Sequence, residues 1–128
     1  MTRATGSRKA CDERQARLRL IDARQFLEAA ELLDAPDVVA TNAIHAAIAA
    51  ADAITCHALG ERSGDANHTP AVSLLRQVDA GLATSLKRAL DRKTQAAYEG
   101  TDLGETDAAS CVRWARQLLA AAERRLQV

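Results

Sequence analysis

Apolar residues recur along this chain at three- and four-residue intervals and nowhere hold the two-residue alternation of a strand. Ala16, Leu20, Ala23, Leu27, Ala30 and Leu33 form one stripe and predict a first helix over residues 11–33. Asp34-Ala35-Pro36 ends it and opens the next, because proline has no amide hydrogen to lose and is pre-set for a first helical turn. The second helix, 36–59, carries Ile44, Ile48, Ala51, Thr55 and Ala58 on one stripe and alanine over much of the remainder. Alanine lets neighbouring backbones approach closely, so this helix belongs at the centre of a bundle or at an interface. Gly60 suits its end, being able to take the left-handed conformation of a helix C-terminus.

A third helix is predicted over 69–79, with Val72, Leu75 and Val78 inward, and Gly81 is expected to break the chain. A fourth, 82–98, sets Leu82, Leu86, Leu90 and Lys93 near one face. Residues 100–104 read as a loop. Thr106 is placed to cap a fifth helix over 107–126, which turns Val112, Ala115, Leu118 or Leu119, and Ala122 inward. The expectation is an all-α protein, a single up-and-down bundle of about five helices. A flexible polar leader over 1–10 would precede one domain over 11–128.

With 128 residues the chain can bury a core, and with Phe26, Tyr98 and Trp114 as its only aromatics that core depends on leucine and alanine. Small bundles of this kind often bury apolar surface against a second copy, so a homodimer is expected. The 17 basic residues balance 17 acidic ones, which removes bulk charge as a reason to bind nucleic acid or membrane. The balance is uneven in place. Arg3, Arg8, Lys9, Arg14, Arg17 and Arg19 load the first twenty positions, and Arg113, Arg116, Arg124 and Arg125 the last sixteen. Each cluster reads as a solvated helix surface or as a local basic face.

No stretch reads as apolar enough to cross a membrane, and no signal core follows the charged start. Cys11, Cys56 and Cys111 are odd in number and form no CxxC pair, which argues against a disulfide framework and a zinc knuckle. They read as reduced, mostly buried residues of a cytoplasmic protein.

Candidate chemistry is sparse. His45 and His57 lie twelve residues apart on one helix, about a third of a turn from each other, without the i, i+4 pairing of zinc helices. No metal or cofactor is expected. Asn42, His45 and Asp52 form a polar seam in the alanine-rich helix, read either as a buried network that fixes register or as the lining of a pocket beside the following loop. Cys56 and His57 are adjacent and diverge by about 100°, which does not make a nucleophile and its base. Lys93 and Tyr98 share one end of the fourth helix. They could meet RNA by charge and stacking, or be a core-edge tyrosine with a lysine stem along it.

The stretch that interrupts the helices is Gly60-Glu61-Arg62-Ser63-Gly64-Asp65-Ala66-Asn67-His68. Arginine offers phosphate a planar fork of permanent charge, and histidine exchanges protons near neutral pH. Those two residue types are the minimum for cleaving RNA without metal. Asn67 could orient the histidine, or serve as the cap of the third helix with Pro70 in its first turn.

In element order, and in an arginine followed by five residues and a histidine, the chain resembles the HEPN superfamily, in particular its small stand-alone members. The resemblance implies a helical bundle that dimerises and joins two such loops in a shared cleft. It further implies a metal-independent endoribonuclease of toxin–antitoxin, phage-defence or RNA-processing systems, with an antitoxin or a nucleotidyltransferase as a further partner. Arg62 and His68 would be catalytic and Asn67 would assist, with Ser63, Lys93 and Tyr98 meeting the substrate. Ser63 stands where the family often has asparagine or aspartate, and Pro70 stands where a toxin subgroup has tyrosine. The alternative is a non-catalytic module that binds a protein partner or a nucleotide.

Overall fold

The computed structural model describes residues 7–64 and 68–128. Its five helices form an all-α bundle, as the periodicity predicts, with one short antiparallel ribbon that it does not predict. The ribbon pairs β1 (Arg8–Ala10) with β2 (Glu61–Ser63), setting Lys9 opposite Arg62. Two further backbone bonds extend it, Gly64 N to Ser7 O and Cys11 N to Gly60 O, each 2.9 Å. Part of the expected leader is thus a strand. Three residues a side are too few for an alternating pattern to show.

Helix α1 (Glu13–Leu32) begins where Asp12 and Gln15 cap each other's backbone amides, each at 2.9 Å. It starts two residues later than expected, because that capping box sets the first turn. Ala16, Leu20, Ala23, Leu27 and Ala30 are buried as predicted, whereas Leu33 lies beyond the helix and is exposed.

Helix α2 (Pro36–Leu59) has the predicted bounds, and Gly60 closes it at φ 71° with its amide on Cys56 O. Alanines 40, 43, 46, 47, 49, 50, 51 and 53 are buried round every side, the signature of a helix enclosed by others. Its main neighbours are α1 and α5. Contrary to expectation, α2 is long and apolar enough by length and composition to cross a membrane, but most of it is covered within the bundle.

Helices α3 (Thr69–Val78), α4 (Ala80–Glu99) and α5 (Glu105–Leu126) complete the fold. Gly81 does not break the chain. Asp79 caps α4 through Leu82 N at 2.9 Å, so Gly81 falls in a first turn where glycine is tolerated. Thr106 is likewise not a cap, since α5 starts at Glu105 behind Gly104. Asp37 Oδ1 accepts the Leu103 amide at 3.0 Å and ties the α4–α5 loop to the start of α2. Trp114 is buried, with the Arg92 and Arg113 guanidinium carbons each 5.8 Å from its ring centre.

The cysteines correct the sequence reading. Cys11 and Cys56 are joined as a disulfide, with Cα atoms 5.7 Å apart, and only Cys111 is a free thiol. The ribbon carries Cys11 onto the last turn of α2, a proximity across 45 residues that spacing cannot reveal. The reduced-cysteine reason for a cytoplasmic setting therefore falls away.

Candidate functional site

The ribbon, the end of α2 and the start of α3 meet α1 around an open pocket of about 380 Å³. Lys9, Arg19, Asp52, Arg62, Ser63, Gly64 and His68 line it. Each comes from a different local cause. Arg62 and Ser63 are delivered by β2, which follows Gly60 directly. Lys9 is placed opposite Arg62 by the strand register, and its stem crosses Gly64 so closely that a Cβ there would lie 2.7 Å from Lys9 Cγ. Glycine is what lets the lysine pass.

His68 stands just before α3 at φ 57°, ψ 24°, a left-handed conformation for a residue with a side chain. Such a backbone is uncommon outside glycine and tends to persist where the surroundings hold it. The His68 carbonyl accepts the Ala71 amide at 3.0 Å, and its side chain makes no cap to the helix. Asn67, expected as a catalytic assistant or as the cap, lies outside the described residues.

Asp52 is the anionic member. Its side chain is 4% exposed, and Arg19 donates to Oδ2 from Nε at 3.2 Å and from Nη2 at 3.0 Å. Arg19 also holds Asp22 at 2.9 Å on the surface. Asp52 Oδ1 is the one buried side-chain oxygen or nitrogen among the described residues without a hydrogen-bond partner. Burial raises the Asp52 carboxyl above the usual aspartate value, while the charge and hydrogen bonds of Arg19 and the charge of Arg62 oppose the rise. Three guanidinium or ammonium groups and a histidine thus face one pocket with a single buried carboxylate.

The expected polar seam is not a hydrogen-bonded network. Asn42 Nδ2 donates to Val38 O of its own helix at 2.9 Å. His45 stacks on Phe26 with ring centres 5.2 Å apart. Burial, then Lys93 and Arg19, push its pKa down, so the ring loses its charge more readily. Only Asp52 of the three lines the pocket. His57 meets Glu13, Nδ1 to Oε1 2.6 Å, on the exposed side. Lys93 and Tyr98 are both exposed on α4 and do not line the pocket, and Tyr98, at 91% exposure, is no core-edge residue. Among the described residues, no three His, Cys, Asp or Glu side chains gather as metal ligands would.

Lys9, Arg19 and Gly64 were not singled out in the sequence. Lys9 and Arg19 belong to the basic N-terminal cluster, which was the available signal. Their convergence needed the ribbon and the α1–α2 packing.

Comparison of the chain with protein-family models, curated proteins and solved structures finds no match. The HEPN resemblance therefore rests on element order and on the spacing of Arg62 and His68 alone.

Proposed function

We propose that the pocket is the active site of a metal-independent endoribonuclease. The observation that supports this reading most is that Arg62 and His68, six positions apart, line one open pocket together with Lys9 and Arg19. A phosphodiester seated there meets cationic donors matched to its oxygens. Arg62 neutralises charge growing on the phosphorus oxygens during attack by the ribose 2′-hydroxyl. His68 exchanges a proton with the reacting oxygens. The products are a 2′,3′-cyclic phosphate and a free 5′-hydroxyl.

The cationic groups gather within one chain, so the pocket does not wait on a second copy to assemble. A homodimer still fits the reading, and light scattering would then give twice the 13.7 kDa of the chain. The competing reading is a module that holds a phosphate-bearing nucleotide in the same pocket without cleaving it. Lys9 and Arg62 favour that ligand over a protein partner, because α2 is enclosed and offers little surface.

Incubating the purified protein with a mixed RNA pool in EDTA decides between them. Cleavage leaving 2′,3′-cyclic ends, lost in Arg62→Ala and His68→Ala, supports the nuclease. A folded protein that binds nucleotide yet leaves the pool intact supports the binding module.

A further inference from the structure

The Cys11–Cys56 disulfide sits at the base of the ribbon that brings Lys9 to the pocket. Cys11 directly follows β1, and Cys56 lies in the last turn of α2, just before Gly60 and β2. The bond therefore ties the two strands together at one end, opposite the Gly64–Ser7 backbone bond at the other. Little else among the described residues anchors β1. Residues 7–10 are all exposed, and a two-stranded ribbon this short is marginal in water without support. β2 is better seated, with Ser63 buried and the strand packed on α2 and α3. Helix α1 is held on its own account by buried Ala16, Leu20, Ala23, Leu27 and Ala30.

We propose that Cys11–Cys56 is a redox latch on the pocket. Oxidised, it keeps Lys9 beside Arg62; reduced by a small-molecule thiol, it lets β1 leave and weakens phosphate binding. The proposal rests on reading the pocket as a phosphate site and adds the regulation of that site. In the step, a thiolate of the reductant attacks the sulfur of Cys11, the half-buried member of the pair. The S–S bond breaks and Cys56 leaves as a thiolate. A second reductant thiolate attacks the reductant's own sulfur in the mixed disulfide and frees Cys11. Each cysteine takes the proton that its attacking thiol gave up. The reductant ends as a disulfide, and the protein has gained two electrons and two protons.

Both states have a place in this fold. Asp12 O lies 3.2 Å from Cys56 Sγ, an acceptor for the proton that Cys56 carries only when reduced. That hydrogen bond and the Glu13–His57 contact keep the start of α1 against α2 while the chain before Cys11 comes free. Arg62 stays behind, because its Nη1 donates to Ser63 O of its own strand at 3.1 Å. Reduction thus removes one cation from the pocket and leaves the bundle standing.

The test titrates adenosine 5′-monophosphate into the oxidised wild type and into the wild type reduced with dithiothreitol, by calorimetry. Reduction should weaken binding about three- to tenfold, toward the low end for a hydrogen bond to a charged group because Lys9 is exposed. Oxidised Lys9→Ala should bind as weakly as the reduced wild type and lose nothing more on reduction. Cys11→Ser should match the reduced wild type with or without reductant. In the wild type alone, reduction should speed hydrogen exchange at the Gly64 amide, which the ribbon holds on Ser7 O, with helical circular dichroism unchanged. Less than a twofold change on reduction, an unchanged Gly64 exchange rate, or a further loss in reduced Lys9→Ala overturns the latch. So does oxidised Lys9→Ala that binds like wild type, Cys11→Ser that binds like the oxidised wild type, or loss of the helical signal on reduction, which makes the bond a staple of the whole fold. An oxidised wild type that does not bind the nucleotide overturns the phosphate-site reading itself, and the latch with it.

Discussion

Arg19→Met tests how the buried carboxylate is held. The substitution keeps an apolar stem but removes both hydrogen bonds to Asp52 Oδ2, and Oδ1 has no partner to begin with. Asp52 would then be an uncompensated charge at 4% exposure. Removing one partner of a buried pair costs about 3–5 kcal/mol; because Arg19 is itself 26% exposed, about 2–4 kcal/mol is expected near neutral pH. The cost should depend on pH with a definite sign. Burial sets the folded-state pKa of Asp52 above the usual value and Arg19 opposes that, so losing Arg19 raises it further. A raised carboxyl binds its proton more tightly in the folded protein, so stability falls as pH rises from the unfolded value through the folded one. The slope is at most about 1.4 kcal/mol per pH unit for one proton. Urea unfolding followed by circular dichroism should show the deficit against wild type largest near pH 7 and smaller near pH 5. The double variant Arg19→Met/Asp52→Asn should recover most of it. A deficit under about 0.5 kcal/mol at pH 7, or one equal at both pH values, would refute the reasoning.

Other outcomes follow from the same structure. Gly64→Ala puts a methyl group where the Lys9 stem passes, 2.7 Å from Cγ, and displaces that stem, so titration with a nucleotide monophosphate should show weaker binding than wild type. Ala50→Leu, in the enclosed face of α2, should cost about 1–3 kcal/mol or more in thermal melts. Ala58→Leu, exposed on the last turn of the same helix, should stay within about 0.5 kcal/mol. The Cys111 thiol, pushed up to about 11 mainly by burial and then by Asp107, should resist iodoacetamide near pH 8 in the folded protein. Unfolded without reductant, the chain should titrate one thiol, rising to three after reduction of the Cys11–Cys56 bond.

The helices were legible because each signals itself locally. The α1 stripe, the Pro36 start and the Gly60 end of α2, and the alanine cladding that marks a central helix all depend on residues a few positions apart. Where two local signals competed, the sequence misled. Gly81 and Thr106 looked like a break and a cap, but Asp79 and the Gly104 turn set those starts. Arg62 and His68 were also visible, since only six positions separate them. What the sequence could not supply was everything paired at long range. Lys9 reaches Arg62 through a ribbon of three residues a side, Cys11 reaches Cys56 across 45 positions, and Arg19 reaches Asp52 across 33. Such pairs leave no periodic trace, because each is fixed by where two elements pack and not by the spacing along either one. The chain alone therefore determined the bundle and the loop that carries an arginine and a histidine. Only the tertiary structure turned that loop into a cationic pocket with a buried aspartate in its wall.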